Sequence, residues 1–293
     1  MAYRLIPCSD VYCQEDQLGF DKYVETLHGI IKDKNFKTPF CIGIYGRWGS
    51  GKTSFMHLLE NRLVKDDSSP HVVPAWFNPW RYEKEKHLII PFLKTVESEI
   101  TKYLKNKQGL KEKIAKELQN AAQKLSTAAS AILYGLKTDL NLGLAKLQFD
   151  VAKSVDRGEV IEEKQLAIAE KLSSVYYDVV TELKKAVGEK EFRIAVFVDD
   201  LDRCLPEKAV ELLESIKLFL DLEGCLFIIG VDKGVITKGI SYHYRFFEPS
   251  KGESDERQTI SPDDYLDKMI QLPFELPPIE FGRKQKGFRD VHK

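Results

Sequence analysis

A run of eight residues near the start of the chain combines glycines, a lysine and a threonine in a spacing that can hold phosphate groups. Its sequence is Gly46-Arg47-Trp48-Gly49-Ser50-Gly51-Lys52-Thr53. The glycines permit backbone angles and a close approach that a β-carbon would block. Lys52 can reach the β- and γ-phosphates of a nucleotide, and the Thr53 hydroxyl can bind Mg²⁺. The stretch therefore predicts a phosphate-binding loop.

The flanking segments agree with this interpretation. Residues 40–45 form a short apolar run typical of a strand, and residues 54–60 contain no proline or glycine and favour a helix. A helix that starts directly after the loop would point its N–H groups and the positive end of its dipole at a phosphate. The residues expected to contact the nucleotide are Gly46, Trp48, Gly49, Ser50, Gly51, Lys52, Thr53 and Ser54.

A phosphate loop that binds Mg²⁺ needs a carboxylate, and the clearest strand of the chain, residues 192–198, ends in two of them. We expect Asp199 to hold the metal together with Thr53, and Asp200 to orient or deprotonate an attacking water. Neighbouring residues on a regular strand point to opposite faces, so both can serve only if the strand ends there. Asp202 and Arg203 could act on phosphate, on a neighbouring subunit, or pair with each other.

Further elements can be placed around these two segments. Residues 225–231 read as a second buried strand that ends at Asp232, and residues 71–77 as a third strand that Pro74 restricts to an edge or a bulge. Trp76 and Trp80 are expected to pack, with contact to a ligand as the alternative. A helix before the phosphate loop carries one apolar face made of Phe20, Tyr23, Val24, Leu27, Ile30 and Ile31.

The block of residues 83–190 carries no chemical motif and is predicted to be a mostly helical insertion. Residues 87–105 and 166–187 have helical periodicity, whereas residues 140–151 alternate between apolar and polar and could form a hairpin instead. The chain then divides into residues 1–82 and 191–280 as the two halves of a core, 83–190 as the insertion and 281–293 as a basic tail. The insertion is expected to contact a protein partner or a second copy.

Composition narrows the classes of function. The formal net charge is −1, which gives no bulk attraction to nucleic acid or to anionic lipid. No segment reaches the roughly 18 apolar residues of a membrane span, and the N-terminal residues lack the apolar centre of a signal sequence. The five cysteines form no Cys-x-x-Cys pair and are expected to be free thiols, so the cytoplasm is the expected compartment.

Three segments together resemble the KAP family of P-loop NTPases: the phosphate loop, Trp76-Phe77-Asn78-Pro79-Trp80, and Asp199-Asp200-Leu201-Asp202-Arg203-Cys204. The segments 16–27 and 265–273 are also similar to that family. The resemblance implies a three-layer α/β P-loop NTPase core with a parallel sheet, in which one more strand separates the phosphate-loop (Walker A) strand from the Asp199 (Walker B) strand. Residues 225–231 would be that strand, and Asp232 would then sense the γ-phosphate.

The resemblance also implies ATP as ligand, Mg²⁺ as cofactor, and roles in signalling or in bacterial defence against phage and plasmids. This chain departs from the family in two respects: many members carry membrane helices between the two Walker segments, and Pro79 stands where they often have alanine. From these residues we predict a Mg²⁺-dependent NTPase that acts as a switch, with Lys52, Asp199 and Asp200 as catalytic residues and Thr53 and Asp199 as metal ligands. A phosphate-transferring kinase and an ATP-dependent scaffold without hydrolysis remain alternatives.

Overall fold

The computed structural model describes residues 16, 18–85, 87–107, 109–127, 129–130, 191–219, 223–244 and 261–277. These residues build one parallel sheet of five strands in the order β2-β3-β4-β1-β5. The strands are β1 (Phe40–Tyr45), β2 (His71–Phe77), β3 (Phe192–Val198), β4 (Cys225–Val231) and β5 (Leu272–Glu275). The chain is thus an α/β protein with a parallel sheet, as the sequence predicts.

The strand order confirms that another strand separates the phosphate-loop strand from the strand that ends at Asp199. β4 pairs with β1 on one side and with β3 on the other, in parallel register. All residues of β3 and β4 are buried, as expected for central strands covered on both faces. Because parallel strands place their carboxyl ends at one edge, Tyr45 and Val198 end on the same side of the sheet.

Helices cover both faces of this sheet. The helices are α1 (Asp21–Lys32), α2 (Lys52–Lys65), α3 (Ile89–Asn106), α4 (residues 112–127), α5 (Pro206–Phe219), α6 (Lys233–Tyr244) and α7 (Pro262–Met269). Buried residues of α1 and α2 pack on one face, and those of α3 to α7 on the other. Successive side chains of a strand point to opposite faces of the sheet, so Val72 packs against the layer of α1 and α2 and Val73 against the layer of α3 to α7. The result is the predicted three-layer core.

Two elements bear on details of the sequence prediction. β2 lies at one edge of the sheet, which agrees with Pro74, since proline lacks the N–H that a central strand needs. β5, by contrast, was not predicted as a strand. It is four residues long, contains Pro273 and occupies the other edge, where it pairs with β1.

The described part of the block that follows residue 82 contains the helices α3 and α4, joined by short non-helical segments. α3 and α4 contribute buried residues to the same core cluster as the sheet, among them Phe92, Ile100 and Leu118. The predicted helix over 166–187, the alternative hairpin over 140–151 and the basic tail over 281–293 lie outside the described residues. The division of the chain into segments at residues 82, 190 and 280 stays a prediction. None of the described helices is long and apolar enough to cross a bilayer.

A buried arginine ties α1 to the sheet. Arg193 lies on β3, is only 6% exposed, and donates hydrogen bonds to the carbonyls of Ile31, Asp33 and Phe36 at the end of α1. The Nη2 distances are 2.8 Å to Asp33 O and 3.0 Å to Phe36 O. The Ile31 carbonyl is one that the end of a helix leaves without an intrahelical donor.

Replacing Arg193 with methionine is expected to lower the free energy of unfolding by about 3 kcal/mol, because one buried and two partly buried carbonyls lose a charged donor. Urea denaturation measures this loss. Arg62→Ala is the matched control: Arg62 pairs with Asp21 and Glu25 at the surface, and such pairs contribute less than about 1 kcal/mol. Equal losses in the two variants would contradict the role of Arg193.

Candidate functional site

The loop between β1 and α2 has the backbone that its glycines predict. Gly49 and Gly51 have φ angles of 76° and 90°, in the left-handed region that glycine adopts without strain. Crowding adds a second constraint at Gly51, where a β-carbon would lie 2.8 Å from Leu18 Cδ1. At Gly46 a β-carbon would lie 2.3 Å from Ser50 Oγ. α2 begins at Lys52, so its free N–H groups open onto the loop.

Lys52 extends over this loop rather than into solvent. Its Nζ donates to the carbonyl of Gly46 at 2.9 Å and forms an ion pair with Asp202 Oδ2 at 3.5 Å. Both side chains of that pair are about nine-tenths buried. The ammonium group therefore lies between the phosphate loop and the acidic segment after β3, where it can meet a phosphate chain.

Thr53 and Asp199 are in direct contact across the site. The Thr53 hydroxyl donates to Asp199 Oδ2 at 2.7 Å, although the two residues are 146 positions apart in sequence. A hydroxyl and a carboxylate at this separation are oxygen donors of the kind that Mg²⁺ selects. The pair thus has the chemistry expected of a site for a magnesium–nucleotide complex, in which Mg²⁺ takes most of its ligands from phosphate and water.

Asp199 carries its carboxylate in a poorly solvated position. The residue is 7% exposed. Burial raises the pKa of Asp199 above its ordinary value of 3.8, the charge of Asp200 raises it further, and the hydrogen bond from Thr53 opposes the rise. A buried carboxylate of this kind costs free energy when ionised, and a bound cation would relieve that cost.

The raised pKa makes a prediction about stability. Because the folded state holds the Asp199 proton more tightly than the unfolded state, ionisation lowers stability as pH rises from below 3.8 through the raised pKa. We expect Asp199→Asn to unfold at a higher temperature than the unsubstituted protein at about pH 7, and the difference to vanish as the pH falls below about 3.8. Thermal unfolding at several pH values, without metal or nucleotide, measures this. A difference that is independent of pH would contradict the prediction.

Asp200 reaches the same site through an unusual backbone conformation. β3 ends at Val198, and Asp200 has φ 60° and ψ 26° in the left-handed region, so the strand alternation is broken between the two carboxylates. Asp200 Oδ2 accepts a hydrogen bond from Asn78 Nδ2 at 2.8 Å, and Oδ1 pairs with Arg203 Nε at 2.6 Å. Because the strand ends before them, Asp199 and Asp200 can both contribute to one site.

One cavity joins most of these groups. Its volume is about 710 Å³, and its lining comprises Leu18, Trp48, Gly49, Gly51, Lys52, Thr53, Ser54, His57, Trp76, Phe77, Asn78, Arg81, Tyr82, Thr95, Asp199, Asp200, Asp202 and Arg203. It thus contains all predicted site residues except Gly46, Ser50 and Asp232. Gly46 and Ser50 lie against each other within the loop. The size falls within the range of pockets that bind small molecules and cofactors.

Asp232 is placed differently from the other predicted residues. Its Oδ1 accepts hydrogen bonds from the backbone N–H groups of Gly234 and Val235, which begin α6. Its own N–H donates to Asp202 Oδ2 at 3.0 Å. The side chain thus caps a helix, and a role in sensing the γ-phosphate stays a prediction.

The sequence did not single out Asn78. It left Asp202 to act on phosphate, on a neighbouring subunit or to pair with Arg203, whereas Asp202 pairs with Lys52 and Arg203 pairs with Asp200. Trp76 and Trp80 were both expected to pack. Trp76 does pack, with its ring stacked on His57 and on Phe197. Trp80 is 49% exposed, so that expectation was wrong for it. Asn78 immediately follows β2, and β2 pairs with β3; its position after a strand is the signal that could have placed it beside Asp200.

Comparison with known proteins gives several similarities. The chain is 25% identical over 284 residues to the phage T7 exclusion protein of Escherichia coli K12, an alignment that covers 94% of this chain and 35% of that protein. It is 32% identical over 65 residues to the human kinase D-interacting substrate of 220 kDa, covering 22% of this chain and 4% of that protein. The chain thus spans about a third or less of these relatives.

Solved structures are similar to this chain only at a low level. The Aeropyrum pernix ORC1 protein, solved in complex with DNA, is 11% identical with a TM-score of 0.41, over 90% of this chain and 47% of that one. The sequence model of the KAP family P-loop domain matches residues 20–288, which include the phosphate loop, the segment from Trp76 and the acids after β3. This chain belongs to the KAP family of P-loop NTPases.

Proposed function

We propose that this domain binds ATP with Mg²⁺ at the phosphate loop and hydrolyses it, and that the nucleotide state acts as a switch. Membership of a P-loop NTPase family supports nucleotide binding in general. That the nucleotide is ATP, that the metal is Mg²⁺ and that the domain acts as a switch are parts of the proposal. The observation that carries it is the 2.7 Å contact between Thr53 Oγ1 and Asp199 Oδ2, which brings a loop hydroxyl and a strand-end carboxylate to one point.

Each residue of the site has a distinct task in this proposal. Backbone N–H groups after Gly46 and at the start of α2 bind the phosphate oxygens. Lys52 leaves the Gly46 carbonyl and donates to the β- and γ-phosphates. Thr53 and Asp199 would hold Mg²⁺, which neutralises charge on the phosphates when bound. Asp200 accepts a proton from the water that attacks the γ-phosphate.

Asp200 is held for this task by its neighbours. Asn78 donates to one oxygen of the carboxylate, and Arg203 pairs with the other. These two contacts fix the orientation of the carboxylate toward the cavity. A group that is already oriented loses less entropy when it reaches the geometry of the reaction. The left-handed backbone at Asp200 supports the same orientation.

The output of the switch is proposed to be the segment 83–190 or a protein partner. α3, at the start of that segment, packs against β2 and supplies Thr95 to the cavity wall. A change at the γ-phosphate can therefore reach this segment through Asn78 and β2. A role in defence against phage is proposed from the similarity to the phage T7 exclusion protein, which covers 94% of this chain.

Release of phosphate from Mg²⁺–ATP by the purified protein tests the proposal, with Lys52→Ala and Asp200→Asn as variants. We expect hydrolysis by the unsubstituted protein, its loss on chelation of the metal, and its loss in both variants. Equal activity in all three proteins would refute the assigned site. A labelled phosphoryl product other than free phosphate would replace this proposal with a kinase, and tight ATP binding with no product would replace it with a scaffold.

A further inference from the structure

Two exposed tryptophans and one arginine form a cluster at the mouth of the nucleotide site. Trp48 belongs to the phosphate loop and is 75% exposed, and Trp80 follows β2 and is 49% exposed. The guanidinium carbon of Arg203 lies 4.5 Å from the centre of the Trp48 ring and 5.9 Å from that of Trp80. We call these three residues the mouth cluster.

We propose that Arg203 is the residue that contacts the γ-phosphate and stabilises the charge that develops there during hydrolysis. This inference rests on the proposed function, since it assigns a further residue to the same site. It makes Arg203 an arginine finger supplied by the chain itself, a role that lowers the barrier to phosphoryl transfer in other P-loop enzymes. It also makes Arg203 the group that distinguishes ATP from ADP.

The position of Arg203 supports the assignment. The residue lies in the 3-10 turn Leu201–Arg203, directly after the two carboxylates that follow β3, and it lines the nucleotide cavity. Its guanidinium stacks on a residue of the phosphate loop itself, so it lies beside the loop that binds the phosphates. Arg203 is thus connected to both halves of the site.

The hydrogen-bonding capacity of Arg203 also supports it. A guanidinium carries five N–H donors in a rigid fork. The ion pair with Asp200 Oδ1 uses Nε, and Asp200 is the one acidic partner of Arg203 among the described residues. Donors therefore remain for a phosphate oxygen while Nε stays on the carboxylate, and bonds between arginine and phosphate are charge-assisted and strong.

The tryptophans give the arginine its orientation. A guanidinium held against an aromatic face gains cation–π attraction, and the contact restricts the plane of its fork. Together with the Asp200 carboxylate, the two indoles place the cation before the nucleotide binds. Groups that are oriented in advance stabilise a transition state without reorganisation at the moment of reaction. Trp48 and Trp80 are thus positioning residues.

Binding of ADP and of a non-hydrolysable ATP analogue, both with Mg²⁺, tests the inference by calorimetry. We expect Arg203→Ala to weaken binding of the analogue about 30-fold while ADP affinity changes less than about threefold, because ADP has no γ-phosphate. The rate of hydrolysis is expected to fall about a thousandfold. Arg203→Lys keeps the charge without the planar fork, and should recover part of the analogue affinity and little of the rate.

Two further variants complete the design. Trp80→Leu, which removes a cation–π contact with Arg203 from outside the lining of the cavity, should weaken binding of the analogue about threefold and leave ADP affinity unchanged. Arg62→Ala, which removes an arginine of α2 that pairs with α1, should change neither affinity. Thermal unfolding of each variant shows whether it is folded at the temperature of the assay.

The outcomes separate this inference from the function on which it rests. Analogue binding that is unaffected by Arg203→Ala, or equal weakening of analogue and ADP, would overturn the role of Arg203 and leave the nucleotide site in place. Lys52→Ala should weaken the binding of both ADP and the ATP analogue, because Lys52 also contacts the β-phosphate. Absence of binding of either ligand to the unsubstituted protein would overturn the proposed function and this inference together.

Discussion

Replacing Lys52 with alanine is expected to slow ATP hydrolysis by about a thousandfold and to weaken ATP binding strongly. Nζ lies over the phosphate loop, 2.9 Å from the Gly46 carbonyl, in a position from which it can move to a phosphate oxygen. Removing the ammonium takes a buried positive charge from the site and leaves the negative charges of the phosphates less well balanced. Phosphate release and calorimetric titration with ATP measure the two effects.

The control for this prediction is a lysine on the same helix. Lys65 ends α2 and is exposed, so Lys65→Ala removes an equal charge at the opposite end of the helix. We expect that variant to bind and hydrolyse ATP like the unsubstituted protein. If Lys52→Ala retained its activity, or if Lys65→Ala lost as much, the phosphate loop would not be the site of the reaction.

Asp200→Asn is expected to reduce the rate of hydrolysis by a factor of about a thousand while ATP affinity changes only a few-fold. The amide cannot accept a proton from water, and its single oxygen can accept from Asn78 or from Arg203 but not from both, so its nitrogen faces the other donor. Asparagine is also suited to the left-handed backbone at this position, where φ is 60°. The substitution therefore removes the carboxylate and one of its two contacts, and keeps the backbone conformation.

Three measurements establish that result. Single-turnover hydrolysis gives the rate, calorimetry gives the affinity, and thermal unfolding shows that the variant is folded. Glu99→Gln, which removes an acidic partner of Lys102 on α3, is a control for loss of one negative charge. An Asp200→Asn protein that hydrolyses ATP at the unsubstituted rate would exclude Asp200 as the base.

The sequence was sufficient for the elements whose signal is local. β1, β3 and β4 are apolar runs bounded by polar or glycine residues, and their bounds agree with those predicted. The phosphate loop could be predicted because its glycines, Lys52 and Thr53 are adjacent in the chain. The family resemblance then supplied the strand order, which local patterns do not contain, and the observed order confirms it.

The remaining features depend on contacts between distant segments. β5 has four residues and a proline, and it becomes a strand only by pairing with β1. The contact of Asn78 with Asp200 exists because β2 and β3 are neighbours. The contact between Arg203 and Trp48 joins residues that are far apart in the chain, so no local spacing in the sequence predicts it.

A crystal structure of the protein with Mg²⁺ and a non-hydrolysable ATP analogue shows whether the nucleotide and its metal bind at the phosphate loop. We expect the phosphates to lie on the loop after Tyr45, with Lys52 Nζ in hydrogen-bond contact with them. The metal should lie about 2.1 Å from the Thr53 hydroxyl and contact Asp199 directly or through water. A nucleotide bound elsewhere, or a metal away from both Thr53 and Asp199, would rule out the assigned nucleotide site.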